Sequence, residues 1–174
     1  MAEIKSTLDL VMERTRHLTL TREERQMQAL EEFRKNLAGL ILKFQESVIT
    51  LDRLHHEVEA LRDNSGVTDR SVLVAEVAGR LDLEKENGSM LVLLREICRA
   101  DTSGIVSVLD GCRDALDREK EALAHRKIEE LATVRGIRGT AVIPNPDSAE
   151  EWPAKRREIL DRFGTALKQA IELL

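Results

Sequence analysis

One helix-spaced pair combines a histidine with a carboxylate, the residue types that bind metals. Asp52 and His55 are three residues apart, and Glu59 follows His55 by one further turn. On a helix this spacing places the side chains on one face. A di-metal site in a helical bundle needs such a pair from each of two helices, together with two further inward carboxylates. The sequence offers a single pair, so we interpret these residues as a solvated polar face.

An acidic stripe is the feature that could support a magnesium-dependent, all-α nucleotide hydrolase. Its four carboxylates recur at helical spacings, at Asp110, Asp114, Asp117 and Glu121. Such hydrolases pair a Glu-x-x-Glu element with a Glu-x-x-Asp element, but here only Glu158 and Asp161 fit the second and nothing fits the first. Three or four convergent carboxylates are needed to hold the ion against water. We therefore favour a solvated face and keep the hydrolase as a third hypothesis.

Three further features could serve phosphate binding or covalent catalysis. Residues 135–139 read RGIRG, which resembles a phosphate-cradling loop, but no predicted strands surround it as they do in RNA-binding folds. The basic run at 155–157 is too short to change that interpretation. A cysteine nucleophile needs an adjacent base, and His125 lies more than three helical turns beyond Cys112. We expect Cys98 and Cys112 to be small core residues.

The composition predicts an all-α fold. The 174 residues are 42% hydrophobic and 34% charged, yet only 2% are aromatic, so 25 leucines supply an aliphatic core. Leu, Ala, Glu, Lys and Arg favour helices, whereas sheets favour aromatic and β-branched residues. A net charge of −5 argues against a general nucleic-acid or anionic-membrane binder. With two cysteines, no signal-peptide pattern and no apolar run of about 20 residues, we expect a cytoplasmic protein.

The strongest periodic pattern is a heptad repeat that we call the heptad seam. Its apolar members are Leu30, Phe33, Leu37, Leu40, Phe44, Leu51, Leu54, Val58 and Leu61. They fill nine of ten seam positions, with Ser47 as the exception, and this period favours coiled-coil-like packing. Additional apolar residues at Ile41, Leu42, Val48 and Ile49 predict a middle that is buried between several helices.

The helix that carries the seam is predicted to run over about 22–62. A Thr21–Glu24 capping box begins it, and Gly66 or Asn64 can adopt the left-handed conformation that ends it. One such helix spans about 60 Å, whereas a compact domain of this length is about 40 Å across. Either the helix breaks near Gly39, or the bundle is elongated, or a second copy covers the ends. We favour the last two together.

The remaining patterns complete a prediction of about six helices. Besides the seam helix, we predict helices over 3–17, 69–86, 90–100, 104–135 and 149–174. Ser89 should cap the helix over 90–100, and the cluster at 101–103 should cap the helix over 104–135. The last should begin with a capping box at 148–151 or with Pro153 in its first turn. Within the helix over 104–135, residues 117–127 should project into solvent.

Beyond that projecting stretch, a narrow apolar stripe returns at Ile128, Leu131 and Val134. The helices form one predicted domain over 1–174. It comprises a bundle over 1–139, an extended loop over 140–148 and a C-terminal helix over 149–174 that packs back.

The opening residues, MAEIKSTLDLVMERT at 1–15, resemble the start of a family of small helical bacterial proteins. The resemblance implies a bacterial cytoplasmic protein. No activity is assigned to that family, so the resemblance carries no functional residues over to this sequence.

Together these patterns predict a non-enzymatic, elongated bundle of long, coiled-coil-like antiparallel helices. We expect it to work through protein–protein contact, including contact with itself as a dimer or higher oligomer, and we expect the heptad seam to provide packing or interaction surface. A small acidic chaperone for a secretion or flagellar client is the second hypothesis. We expect no metal, no cofactor and no nucleic-acid or membrane partner.

Overall fold

The computed structural model describes residues 21–139 and 143–174, and within them the prediction of an all-α fold is confirmed. Those ranges contain no strand and six α-helices: α1 (Arg22–Gln45), α2 (Leu51–Ser65), α3 (Arg70–Ala78), α4 (Gly88–Val92), α5 (Ser103–Val134) and α6 (Trp152–Glu172). A π-helical turn, Leu93–Ile97, continues α4, and a 3-10 turn, Pro146–Ser148, precedes α6. The predicted helix over 3–17 lies outside the described residues. The chain divides into two compact units, residues 1–76 and 77–174.

In the first unit, the prediction of one helix across the whole heptad seam is wrong. Helix α1 ends at Gln45 and α2 begins at Leu51, so the seam is divided between two helices. The break falls at Ser47, the only polar position of the seam, and not near Gly39. A continuous five-heptad helix is therefore replaced by two shorter helices that pack against each other.

Ser47 ends α1 by adopting the left-handed backbone conformation, with φ of +58°. Its N–H donates to the Phe44 carbonyl at 3.0 Å, and the N–H of Val48 donates to the Lys43 carbonyl at 2.8 Å. These are the two hydrogen bonds of a Schellman motif, in which glycine is the usual left-handed residue. The turn therefore satisfies the last carbonyls of α1 although a side chain stands where glycine is preferred.

The predicted helix ends in this unit are confirmed where they depend on local chemistry. The Glu24 N–H donates to the Thr21 hydroxyl at 3.2 Å, and the Thr21 N–H donates to the Glu24 carboxylate at 2.7 Å, completing the capping box. That hydrogen bond lowers the pKa of Glu24 from its ordinary value. Gly66 ends α2 with φ of +68°, and its N–H donates to the Arg62 carbonyl.

The predicted helix over 69–86 is too long, because α3 ends at Ala78. Asn87, a buried side chain, holds the loop that follows. Its amide donates to the carbonyls of Asp82 and Lys85 at 2.6 and 2.8 Å, and its side-chain oxygen accepts from the Asp82 N–H at 2.9 Å. Helix α4 then begins at Gly88, so the prediction that Ser89 caps it is also wrong.

Helices α5 and α6 pack antiparallel in the second unit. The first residue of α6, Trp152, lies beside Lys120, whereas Phe163 meets Gly111, nearer the start of α5. A Cβ built on Gly111 would lie 3.1 Å from the Phe163 ring, so the glycine permits a close approach of the two helices. Residues further along α5 than Lys120 therefore extend past the beginning of α6.

Helix α5 begins close to the predicted position. For the start of α6, the sequence offered either a capping box or Pro153 in the first turn, and the structure shows which of them is present. Asp101 accepts the Ser103 N–H at 2.9 Å at the start of α5. Pro153 occupies the first turn of α6, as predicted. The predicted capping box is wrong, because the Ser148 hydroxyl instead donates to the Asn145 carbonyl at 2.7 Å within the 3-10 turn.

Candidate functional site

All nine apolar members of the heptad seam are buried or half-buried. Four of its members are buried (Phe33, Leu37, Leu54 and Val58), and five are half-buried (Leu30, Leu40, Phe44, Leu51 and Leu61). The predicted burial of the apolar middle is confirmed at Ile41, which is 1% exposed, but not at Leu42 and Val48, which are 51% and 66% exposed. The four buried seam residues lie on α1 and α2, the two helices that pack against each other.

The Asp52–His55 pair and the acidic stripe form no convergent cluster. The His55 ring lies 3.7 Å from the Glu59 carboxylate, and Asp52 is exposed on the same helix. The whole stripe is exposed along α5, at Asp110, Asp114, Asp117 and Glu121. Across residues 21–139 and 143–174, no group of three His, Cys, Asp or Glu side chains is placed to hold a metal ion.

The basic segments occupy structural positions. Residues 135–139 follow α5, where Gly136 has φ of +66° and closes the helix. In the basic run, Arg156 donates through Nε to the Glu84 carboxylate at 2.9 Å, and Lys155 lies 4.0 Å from Glu119. These contacts tie α6 to neighbouring elements of its own unit.

Both cysteines are buried, and they form no disulfide with each other. Burial raises the pKa of the Cys112 thiol, and the nearby charge of Glu84 adds to the rise, against a smaller opposite effect of Arg162. A thiol with a raised pKa remains protonated near neutral pH and is a poor nucleophile.

A cleft of about 680 Å³ lies between α5 and the connection that leads to α6. Charged and polar groups share its lining about equally with apolar groups. Those charges pair: Arg126 contacts Glu151 at 2.8 Å, and Lys127 contacts Glu130 at 2.8 Å. Leu123, at its floor, is only 4% exposed. The prediction that residues 117–127 project into solvent is therefore wrong at this position.

Trp152, the single tryptophan, anchors the beginning of α6 beside this cleft. It is 6% exposed, and the Lys120 ammonium lies 5.3 Å from the centre of its ring, within cation–π range. Lys120 also contacts the Asp147 carboxylate at 3.3 Å. These contacts fix the point along α5 at which α6 begins to cover it.

The end of α5 and the residues just after it carry four apolar side chains, of which three are exposed and one is half-buried. We call Ile128, Leu131, Val134 and Ile137 the α5 arm. Ile128 is 42%, Val134 is 75% and Ile137 is 47% exposed, and Leu131 is half-buried. The Ile137 N–H donates to the Leu131 carbonyl at 3.0 Å, which folds the last arm residue back over the helix end.

Sequence reasoning identified the stripe but not its exposure. The stripe at Ile128, Leu131 and Val134 has the spacing of any half-buried helix face. Trp152, the first residue of α6, lies beside Lys120, and α6 runs from there towards the start of α5. Helix α6 therefore does not cover the stripe, which lies nearer the end of α5.

No protein-family model, curated protein or solved structure matches the chain. Within the described ranges, none of the helices combines the length and the apolar content needed to cross a bilayer.

Proposed function

We propose that this chain functions by protein–protein association through the α5 arm, including association with its own copies. The observation that carries the proposal is the concentration of exposed Ile128, Val134 and Ile137 side chains within ten residues of one helix end. Scattered exposed apolar residues are ordinary on protein surfaces, whereas clustered ones mark contact sites. Beside the arm, Lys127 and Glu130 form an ion pair with each other.

The size of the arm favours weak, reversible association. Burying an aliphatic side chain yields about 1.5–3 kcal/mol, and association has to offset several kcal/mol of lost translational and rotational freedom. An arm with three well-exposed aliphatic residues therefore supports a dissociation constant of about 10 μM to 1 mM. Such a contact forms and separates readily at cellular concentrations.

We further propose a cytoplasmic location and a non-enzymatic role. Two buried cysteines that form no disulfide, Cys98 and Cys112, suit a reducing compartment. The charges that line the cleft beside Leu123 pair with one another, which does not favour a chaperone groove there, and within the described residues the acidic stripe brings together no three metal-binding side chains. Association through the arm is the function that the geometry supports best.

The test is sedimentation equilibrium of the untagged full chain over about 5–500 μM, a range that brackets the expected dissociation constant. The mass of the wild type should rise from that of one chain towards that of two, and Ile128→Glu should keep the mass of one chain because it places charge in the contact. Ala122→Glu is the matched control, because Ala122 is exposed on another face of α5. A wild type that keeps the mass of one chain at every concentration contradicts self-association.

A further inference from the structure

The helix face that carries Ile128 has an acidic end and a basic end. Glu121, Ala124, Ile128, Leu131 and Arg135 follow one another at spacings of 3, 4, 3 and 4, so they share one face. Glu121 and Arg135 are both exposed. Each lies seven residues from Ile128, about 10.5 Å along the helix axis. The face is therefore apolar at its centre and oppositely charged at equal distances on either side.

Resting on the proposed function, we propose that the partner of this face is a second copy of the chain in an antiparallel, two-fold arrangement. A two-fold axis near Ile128 places Glu121 of one chain beside Arg135 of the other, and it does so twice. A parallel arrangement would bring Glu121 to Glu121 and Arg135 to Arg135, and like charges repel. Charge complementarity thus selects both the partner and its direction.

The residues around Ile128 suit close approach of two helices. Ala124 precedes it by four residues and Ala132 follows it by four, so small side chains stand symmetrically on both sides. Small residues permit an interaxial distance at the lower end of the usual range of about 8–10 Å. Antiparallel packing also opposes the dipoles of the two helices, which is the favourable sense.

The charged side chains beside this face pair with one another on the same chain. His125 contacts Glu129 at 3.6 Å, Lys127 contacts Glu130, and Arg126 contacts Glu151 across the cleft. The charges that flank the apolar centre of the face itself are Glu121 and Arg135.

Charge reversal tests the arrangement on the full chain, by the dissociation constant from sedimentation. Glu121→Arg and Arg135→Glu should each weaken the dimer about 10-fold, because each variant replaces two attractive contacts by two repulsive ones. The double variant exchanges the charges and should return to within about 3-fold of wild type. Asp161→Arg, a charge reversal at an exposed site on α6, should alter the constant by less than about 3-fold.

The outcomes separate this inference from the proposed function. Rescue by the double variant, together with an inert control, supports the antiparallel pair. A wild-type dimer whose double variant is weaker than either single variant overturns the arrangement but leaves association through the arm intact. A wild type that stays monomeric overturns both the arrangement and self-association through the arm.

Discussion

Ser47 is the position where one substitution should make this protein more stable. A side chain in the left-handed conformation costs about 1–2 kcal/mol relative to a right-handed one, and Ser47 holds φ of +58°. Glycine removes that cost but loses about 0.5–1 kcal/mol through the greater freedom of its unfolded chain. The difference between the midpoints of these two ranges predicts that Ser47→Gly raises the free energy of unfolding by about 0.75 kcal/mol.

Urea denaturation followed by circular dichroism measures this change. Ser107→Gly is the control, because Ser107 is an exposed serine within α5, where glycine should cost about 0.5 kcal/mol. Gly66→Ala is the mirror test: Gly66 has φ of +68° and open space around a built Cβ, so any loss reports the backbone alone. If Ser47→Gly destabilises as much as Ser107→Gly does, the left-handed turn at Ser47 is refuted.

Three other predictions concern packing, a polar network and acid. Leu54→Asp places a carboxylate at a 1%-exposed site and should abolish folding or assembly; a soluble variant with unchanged helicity and mass would contradict the packing. Asn87→Ala removes the three hydrogen bonds by which the buried Asn87 side chain holds the loop before α4 and should cost about 2–3 kcal/mol in urea denaturation; a cost below about 0.5 kcal/mol would exclude that role. Hydrogen bonds from the Glu84 and Ser103 N–H groups lower the pKa values of Asp82 and Asp101, so their stabilisation is complete above about pH 4 and decreases as pH falls through the lowered values. Asp101→Asn should reduce this acid sensitivity in thermal melts, and an unchanged pH dependence would count against it.

Features that depend on neighbouring residues were predictable from the sequence. The capping box at Thr21 and Glu24 and the left-handed end at Gly66 need only residues within one turn, and both are present. The break at Ser47 also had a local signal, since it is the only polar position of the seam. Its weight was underestimated because serine rarely occupies the left-handed region, so the periodicity on either side favoured continuation.

Features that depend on distant parts of the chain were not predictable. The loop before α4 is closed by Asn87 bonding back to Asp82, which competes with continuation of α3 and leaves no periodic signature. Exposure of Ile128 depends on where α6 meets α5, and that is fixed by Trp152 beside Lys120. A helical stripe looks the same in sequence whether or not another helix covers it.

Cross-linking at Ile128 is the most direct test of association through the α5 arm. Both native thiols are buried, so a cysteine introduced by Ile128→Cys is the accessible one, and Ala122→Cys provides the same chemistry on another face of α5. Under mild oxidation, a two-fold contact centred near Ile128 predicts a disulfide-linked species with the mass of two chains for Ile128→Cys and little for Ala122→Cys. Equal cross-linking of the two variants would contradict association through the arm, and no cross-linking of Ile128→Cys at about 500 μM, within the expected range of association, would contradict a two-fold contact centred near Ile128.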